Sequence, residues 1–200
     1  MSDLLKLKEE LVLACKRAYR RGIQTGSGGN VSARVPDENL MIVKASGSSF
    51  EDSTADGFVI TDFDGNLVEG DGKPTREALL HGYIYRICPH VGAVVHVHSP
   101  YAIGWASTRK ALPRVTWHAK LKMCADIPTL DIPSPMVRIE DFPMVKEIFD
   151  ESPELPAFLL ADHGVVAVAK DPISAEHTAE LVEETAQVAY LELIAKKFGL

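Results

Sequence analysis

Residues 92–99 read Gly92-Ala93-Val94-Val95-His96-Val97-His98-Ser99. The continuous β-branched run predicts a buried strand. Successive side chains of a strand point to opposite faces, so His96 and His98 share one face at its end. Two imidazoles placed that way can ligate one metal ion. They can equally be two hydrogen-bonded polar residues closing a strand, and the HxH pattern alone does not separate the two readings. Further along, AFLLAD and VVAVA within 157–169 predict two more strands about a turn that contains Asp162-His163-Gly164. A lone histidine at such a turn is more often structural. Taken with His96 and His98, His163 completes a three-histidine set, the number typical of catalytic zinc, which leaves one position open.

Working outward, residues 3–21 predict an amphipathic helix, with Leu4, Leu7, Leu11, Ala14, Cys15 and Ala18 on one face and Gly22 beyond its end. The turn-rich TGSGGN at 25–30 follows, then strands at 31–35, 40–45 and 57–62. Asp64-Gly65-Asn66 predicts a turn from the last of these into 67–70. Pro74 and Thr75 are expected to open a helix over about 75–87 that stops before Pro89. A short helix is expected at 100–108, another near 141–151, and a long one from Pro172 to about 197. Residues 109–140 are proline-rich and give no clear element. Strands and helices interleave without a strict βαβ rhythm, and the early strands look hairpin-connected. The expectation is an α/β fold, a largely antiparallel or mixed sheet with helices on its faces, in one domain over 1–200.

Composition narrows the function classes. The chain has 200 residues, 46% hydrophobic and 24% charged, as in an ordinary globular protein. A net charge of −7 argues against a nucleic-acid footprint but leaves room for one local basic pocket. Cys15, Cys88 and Cys124 form no CxxC and are odd in number, which suits reduced thiols in a cytoplasmic protein. The N-terminal stretch mixes charge throughout and is not expected to be a signal peptide. Neither apolar stretch is long enough to span a membrane.

Several weaker signals accompany the histidines. Thr25-Gly26-Ser27-Gly28-Gly29-Asn30 could turn backbone N–H groups toward an anion, although such stretches are commonly plain turns. Ser46-Gly47-Ser48-Ser49 is a second segment of this type. Thr75 and Arg76, at an expected helix N-terminus, form a third. Glu77 falls in the first turn of that helix, where a carboxylate is favoured with or without a catalytic role. His81, one turn on, could bond Glu77, act as an alternative ligand or sit in the core.

These segments, in this order, resemble the class II aldolase/adducin-head family. The resemblance rests on Gly28-Gly29-Asn30-Val31-Ser32, Ala45-Ser46-Gly47, Lys73-Pro74-Thr75-Arg76-Glu77 with His81, the 92–99 stretch and Asp162-His163-Gly164. It implies a three-layer α/β/α domain with a central, mainly antiparallel sheet, and a homotetramer with active sites between subunits. It implies a divalent metal, zinc or in some members manganese, on His96, His98 and His163. Glu77 would act as acid/base. Gly29, Asn30, Ser46, Gly47 and Thr75 would hold a substrate phosphate; Arg76 lies outside that family pattern, and by its own chemistry a guanidinium there could strengthen the grip or reach a carboxylate instead.

Two departures bear on the reaction. Arg76 stands where the family often has a small hydroxyl residue. Lys120, in Trp117-His118-Ala119-Lys120, stands near a position that supplies a reaction-specific Tyr, Asp or Glu. The sequence stops at Leu200, which leaves little room for the C-terminal tail that carries a tyrosine in some aldolases. The leading expectation is an aldolase acting on a ketose 1-phosphate-like substrate through a metal-stabilised enediolate. Decarboxylation of a hydroxy or keto acid follows, motivated by Arg76 and Lys120. A sugar-phosphate epimerase or dehydratase comes third, and a non-catalytic adducin-like module last.

Overall fold

The computed structural model of the chain describes residues 3–199; the expectation about a C-terminal tail lies outside them. The elements run α1 (Asp3–Arg20), β1 (Asn30–Arg34), β2 (Leu40–Lys44), β3 (Phe58–Asp62), β4 (Leu67–Glu69), α2 (Ala78–Ile87) and β5 (Ala93–Val97). They continue through α3 (Pro100–Ala106), α4 (Trp117–Lys122), β6 (Thr129–Leu130), α5 (Phe142–Glu151), β7 (Ala157–Leu160), β8 (Gly164–Ala169) and α6 (Pro172–Phe198). The eight strands form one sheet in the order β4-β3-β2-β1-β5-β8-β7-β6. Every neighbouring pair is antiparallel except β6 and β7.

The two-residue period of the strands divides the core into two layers. Val31, Ala33, Ile42, Ile60, Val95, Leu159 and Ala167 pack on one face with Leu11 and Cys15 of α1, Trp105 of α3 and Ala175, Ala179 and Val182 of α6. Met41, Val43, Val59, Val94, Phe158 and Val166 pack on the other with Leu80 and Ile84 of α2 and Val145 and Phe149 of α5. Each fully buried large side chain is worth about 1.5–3 kcal/mol against exposure. The result is helix, sheet, helix in three layers, with β5, β7 and β8 buried on both faces and therefore apolar at nearly every position.

Local signals account for the helix ends. Asp171 accepts the Ser174 N–H at 2.7 Å and Pro172 opens the first turn of α6. Thr116 accepts the Ala119 N–H at 3.0 Å and starts α4 inside the region that showed no clear element in the sequence. Arg34 reaches from β1 to the carbonyls of Tyr85, Cys88 and Val91 and closes the end of α2.

One boundary is corrected. The helix expected from residue 75 begins at Ala78. Pro74 pairs with Ala45 in an isolated bridge, and Thr75 N–H bonds Lys44 C=O at 3.2 Å. Thr75 and Arg76 therefore precede the helix, and Glu77 is its N-cap residue. Proline lacks a donor but tolerates one strand-like bridge, which is why the segment is held extended. Cys15, Cys88 and Cys124 are free thiols. Among the described residues, no helix is long and apolar enough to cross a membrane.

Candidate metal centre

β5 and β8 are neighbours, with Val97 opposite Val165, so the end of β5 meets the start of β8. That register brings His98 and His163 alongside His96. Gly164 makes the approach possible, because a Cβ there would lie 2.3 Å from Val97 O. Asp162, just before His163, has φ +58° and is gripped by both Nη atoms of Arg109.

The three rings converge through their Nε2 atoms. His96 Nε2 lies 3.1 Å from His98 Nε2 and 3.3 Å from His163 Nε2. Nitrogens sharing a tetrahedral zinc at ordinary bond lengths stand about 3.3 Å apart. His96 Nδ1 bonds Val165 C=O at 2.9 Å. Because a carbonyl only accepts, Nδ1 carries the proton and Nε2 presents its lone pair. Burial pushes His96 down to about 3, helped by His98. Burial, with His96 next, takes His163 to about 4. His98 is lowered by burial too, against the pull of Glu77. Each shift favours the neutral ring, the state a metal requires.

Glu77 completes the group. Its Oε2 is 3.4 Å from His96 Nε2 and accepts Asn30 Nδ2 at 2.7 Å. Glu77 Oε1 and Asn30 Oδ1 are buried without a partner. Orphaned acceptors beside neutral imidazoles are what a cation satisfies, so these residues fit a divalent metal.

His81 takes neither the ligand role nor the Glu77 bond: its Nδ1 lies 2.7 Å from Ser32 Oγ, which lies 2.7 Å from Tyr85 OH. This buried chain braces α2 against β1.

The centre opens into a cleft of about 180 Å³. Ser27, Gly28, Gly29 and Asn30 form one wall, Lys44, Ser46 and Gly47 a second, and Thr75, Arg76 and Glu77 a third, with His98, His163, Pro135 and Met136 completing it. The structure thus gathers Gly29, Asn30, Ser46, Gly47, Thr75, Arg76 and Glu77 around one space. Lys120 is not among them. It is exposed on α4, with Nζ 5.1 Å from the Trp117 ring centre. Lys44 escaped the sequence reading because a lysine in a strand is ordinarily solvated. Here it is buried and its ammonium donates to Ala45 C=O, Ser48 C=O and Ser48 Oγ, holding the 45–48 turn.

Residues 9–190 match the class II aldolase and adducin N-terminal domain family. The chain belongs to that family. It is 28% identical to an L-fuculose 1-phosphate aldolase, with a TM-score of 0.86 over 100% of this chain and 90% of that one. It is 26% identical to YgbL of Klebsiella pneumoniae, a candidate aldolase/epimerase/decarboxylase, with a TM-score of 0.80 over 96% and 91%. The L-fuculose-1-phosphate aldolase of Thermus thermophilus shares the fold at 20% identity, with a TM-score of 0.83 over 96% of each chain.

Proposed function

We propose that this class II aldolase family member is a metal-dependent carbon–carbon lyase, an aldolase cleaving a ketose 1-phosphate-like substrate. The observation that carries the reading is three Nε2 atoms, two of them 3.1 and 3.3 Å from the third, beside Glu77 at 3.4 Å and at the floor of a polar cleft. His96, His98 and His163 would hold zinc, with manganese as the alternative. When bound, the metal polarises a substrate carbonyl and offsets the charge that develops on bond cleavage.

The chain's own residues supply the rest. Gly29, Asn30, Ser46, Gly47 and Thr75 offer N–H and hydroxyl donors to the phosphate, and the Lys44 and Arg76 charges favour the anion. As the carbon–carbon bond breaks, the fragment that becomes the aldehyde passes its hydroxyl proton to Glu77. Glu77 returns a proton to the carbon left on the phosphate-bearing fragment. Asn30, by donating to Oε2, keeps the carboxylate aimed.

Lys120 stands outside the cleft of its own chain, so in this reading it serves the cleft of a neighbouring copy. Trp117, 85% exposed, and Leu121, 80% exposed, flank it and support burial of α4 in a homotetramer.

The test is incubation of zinc- and manganese-loaded protein with a panel of ketose 1-phosphates, assaying aldehyde release. Release from none of them would remove the aldolase assignment. Decarboxylation of a hydroxy or keto acid is the second reading, favoured by Arg76 in the cleft wall, where a guanidinium can pair a carboxylate. Carbon dioxide release abolished by Arg76→Ser supports it; unchanged release in that variant removes the role of Arg76.

A further inference from the structure

Gln24 carries no sequence signature, yet it stands between the two sides of the cleft. It is 1% exposed and immediately precedes the glycine-rich turn. Its Oε1 accepts the backbone N–H of His98 at 2.9 Å, and its Nε2 donates to Thr25 C=O at 2.7 Å. One planar amide therefore joins the backbone of a metal-site histidine to the first peptide of the turn that walls the anion side.

The same amide dictates the composition of the turn. A Cβ on Gly29 would fall 2.4 Å from Gln24 Oε1 and 2.9 Å from His96 C=O. A Cβ on Gly28 would fall 2.7 Å from His98 Nδ1 and 3.0 Å from Gln24 Nε2. The space that side chains at 28 and 29 would need is filled by Gln24 and by the histidine it holds. Moving the turn relative to His98 breaks one of the two hydrogen bonds, and a buried amide left half-paired is costly.

We propose that Gln24 is a positioning residue that sets the spacing between the glycine turn and His98, so that metal and anion sides act on one substrate. It does not line the cleft and touches no reacting atom in this scheme. The inference rests on the metal-dependent reading above.

Two variants separate its two bonds. Gln24→Ala removes both. Gln24→Glu keeps an oxygen for the His98 N–H and, measured at about pH 9 so that the buried carboxyl is ionised, sets a carboxylate oxygen against Thr25 C=O, which pushes the turn away. In metal-free protein, Gln24→Ala is expected to speed amide hydrogen exchange at His98 about five- to tenfold. Its zinc affinity should fall about 10- to 100-fold. Binding of inorganic phosphate to the zinc-loaded protein, followed by phosphorus NMR, should weaken as well. Gln24→Glu is expected to bind zinc as the parent does and to lose phosphate binding. General destabilisation would impair both together, and Gln24→Met, which adds no charge, should weaken phosphate binding as well, which plain repulsion between a carboxylate and the anion would not produce. Unchanged exchange at His98 in Gln24→Ala, or equal loss of zinc and phosphate in Gln24→Glu, would overturn the proposal. A parent protein that binds no zinc would instead remove the metal reading, and the exchange comparison in metal-free protein would still decide whether Gln24 ties the two segments.

Discussion

Glu77 and Asn30 are 47 positions apart in the chain and meet at 2.7 Å. Glu77→Gln keeps the size of the side chain and an oxygen for Asn30 but removes the carboxylate to which the proposed mechanism assigns proton transfer. Steady-state kinetics on the cleaved substrate should show kcat lower by about 100- to 10,000-fold. Denaturant unfolding should stay within about 1 kcal/mol of the parent. Gly164→Ala makes the opposite trade. Its Cβ would press on Val97 O, a backbone atom that cannot rotate away, so unfolding should cost about 1–3 kcal/mol less, with metal affinity also reduced. At this scale the sequence displayed the chemistry without the meeting. Two histidines at i and i+2 announce themselves through strand geometry. Nothing local says that Glu77 turns toward them, or that His81 turns away to Ser32. Gln24 was invisible for the same reason: its partners are chosen by the fold, and an amide has no spacing pattern.

Helices α1 and α6 are joined by a charged cluster. Glu176 is buried on α6 and accepts Arg17 Nε at 2.9 Å, while Arg17 and Arg21 also reach Glu180. Burial raises Glu176 to about 7, with the Glu180 hydrogen bond adding to the rise and Arg17 opposing it. A carboxyl whose folded value exceeds its unfolded one binds more protons when folded. Its stabilising contribution is complete below about 4.5 and disappears as pH rises through about 7. Glu176→Gln, permanently neutral, should flatten the fall in stability between those values, as read by urea unfolding across pH. Long elements were the legible ones. The 27-residue α6, with its Asp171-Pro172 start, and the apolar strands follow from pattern alone. Residues 109–140 did not, because a six-residue helix and a two-residue strand are too short to show a period. The early start assigned to α2 came from reading Pro74 as a first-turn proline when it was an extended one.

The whole molecule offers two readings in solution. A metal that binds only the folded state stabilises it by about 2.7 kcal/mol at a hundredfold excess over Kd. For a chain of this size that is about 5–10 °C in Tm, so chelation should lower thermal unfolding by that much, and His96→Ala should abolish the difference. Assembly is the second. Light scattering should report four subunits for the parent, and a smaller species for a Trp117→Glu, Leu121→Glu double variant.

Strands β4-β3-β2-β1 and β5-β8-β7-β6 are two consecutive blocks of sequence, and they meet only where β1 pairs with β5, Asn30 opposite His96. The cleft straddles that seam. Its anion-side groups, from Ser27 to Arg76, come from the first block and the connection that follows it, whereas all three metal-site histidines come from the second. Glu77 sits on the connection between them. On the proposed reading, the groups that would hold the substrate's anion and those that would act on it are inscribed on different stretches of the chain, with Asn30 serving both. A lineage could trade one handle for another by altering Ser46, Gly47, Thr75 or Arg76 and leave Asn30, Glu77 and the histidines intact.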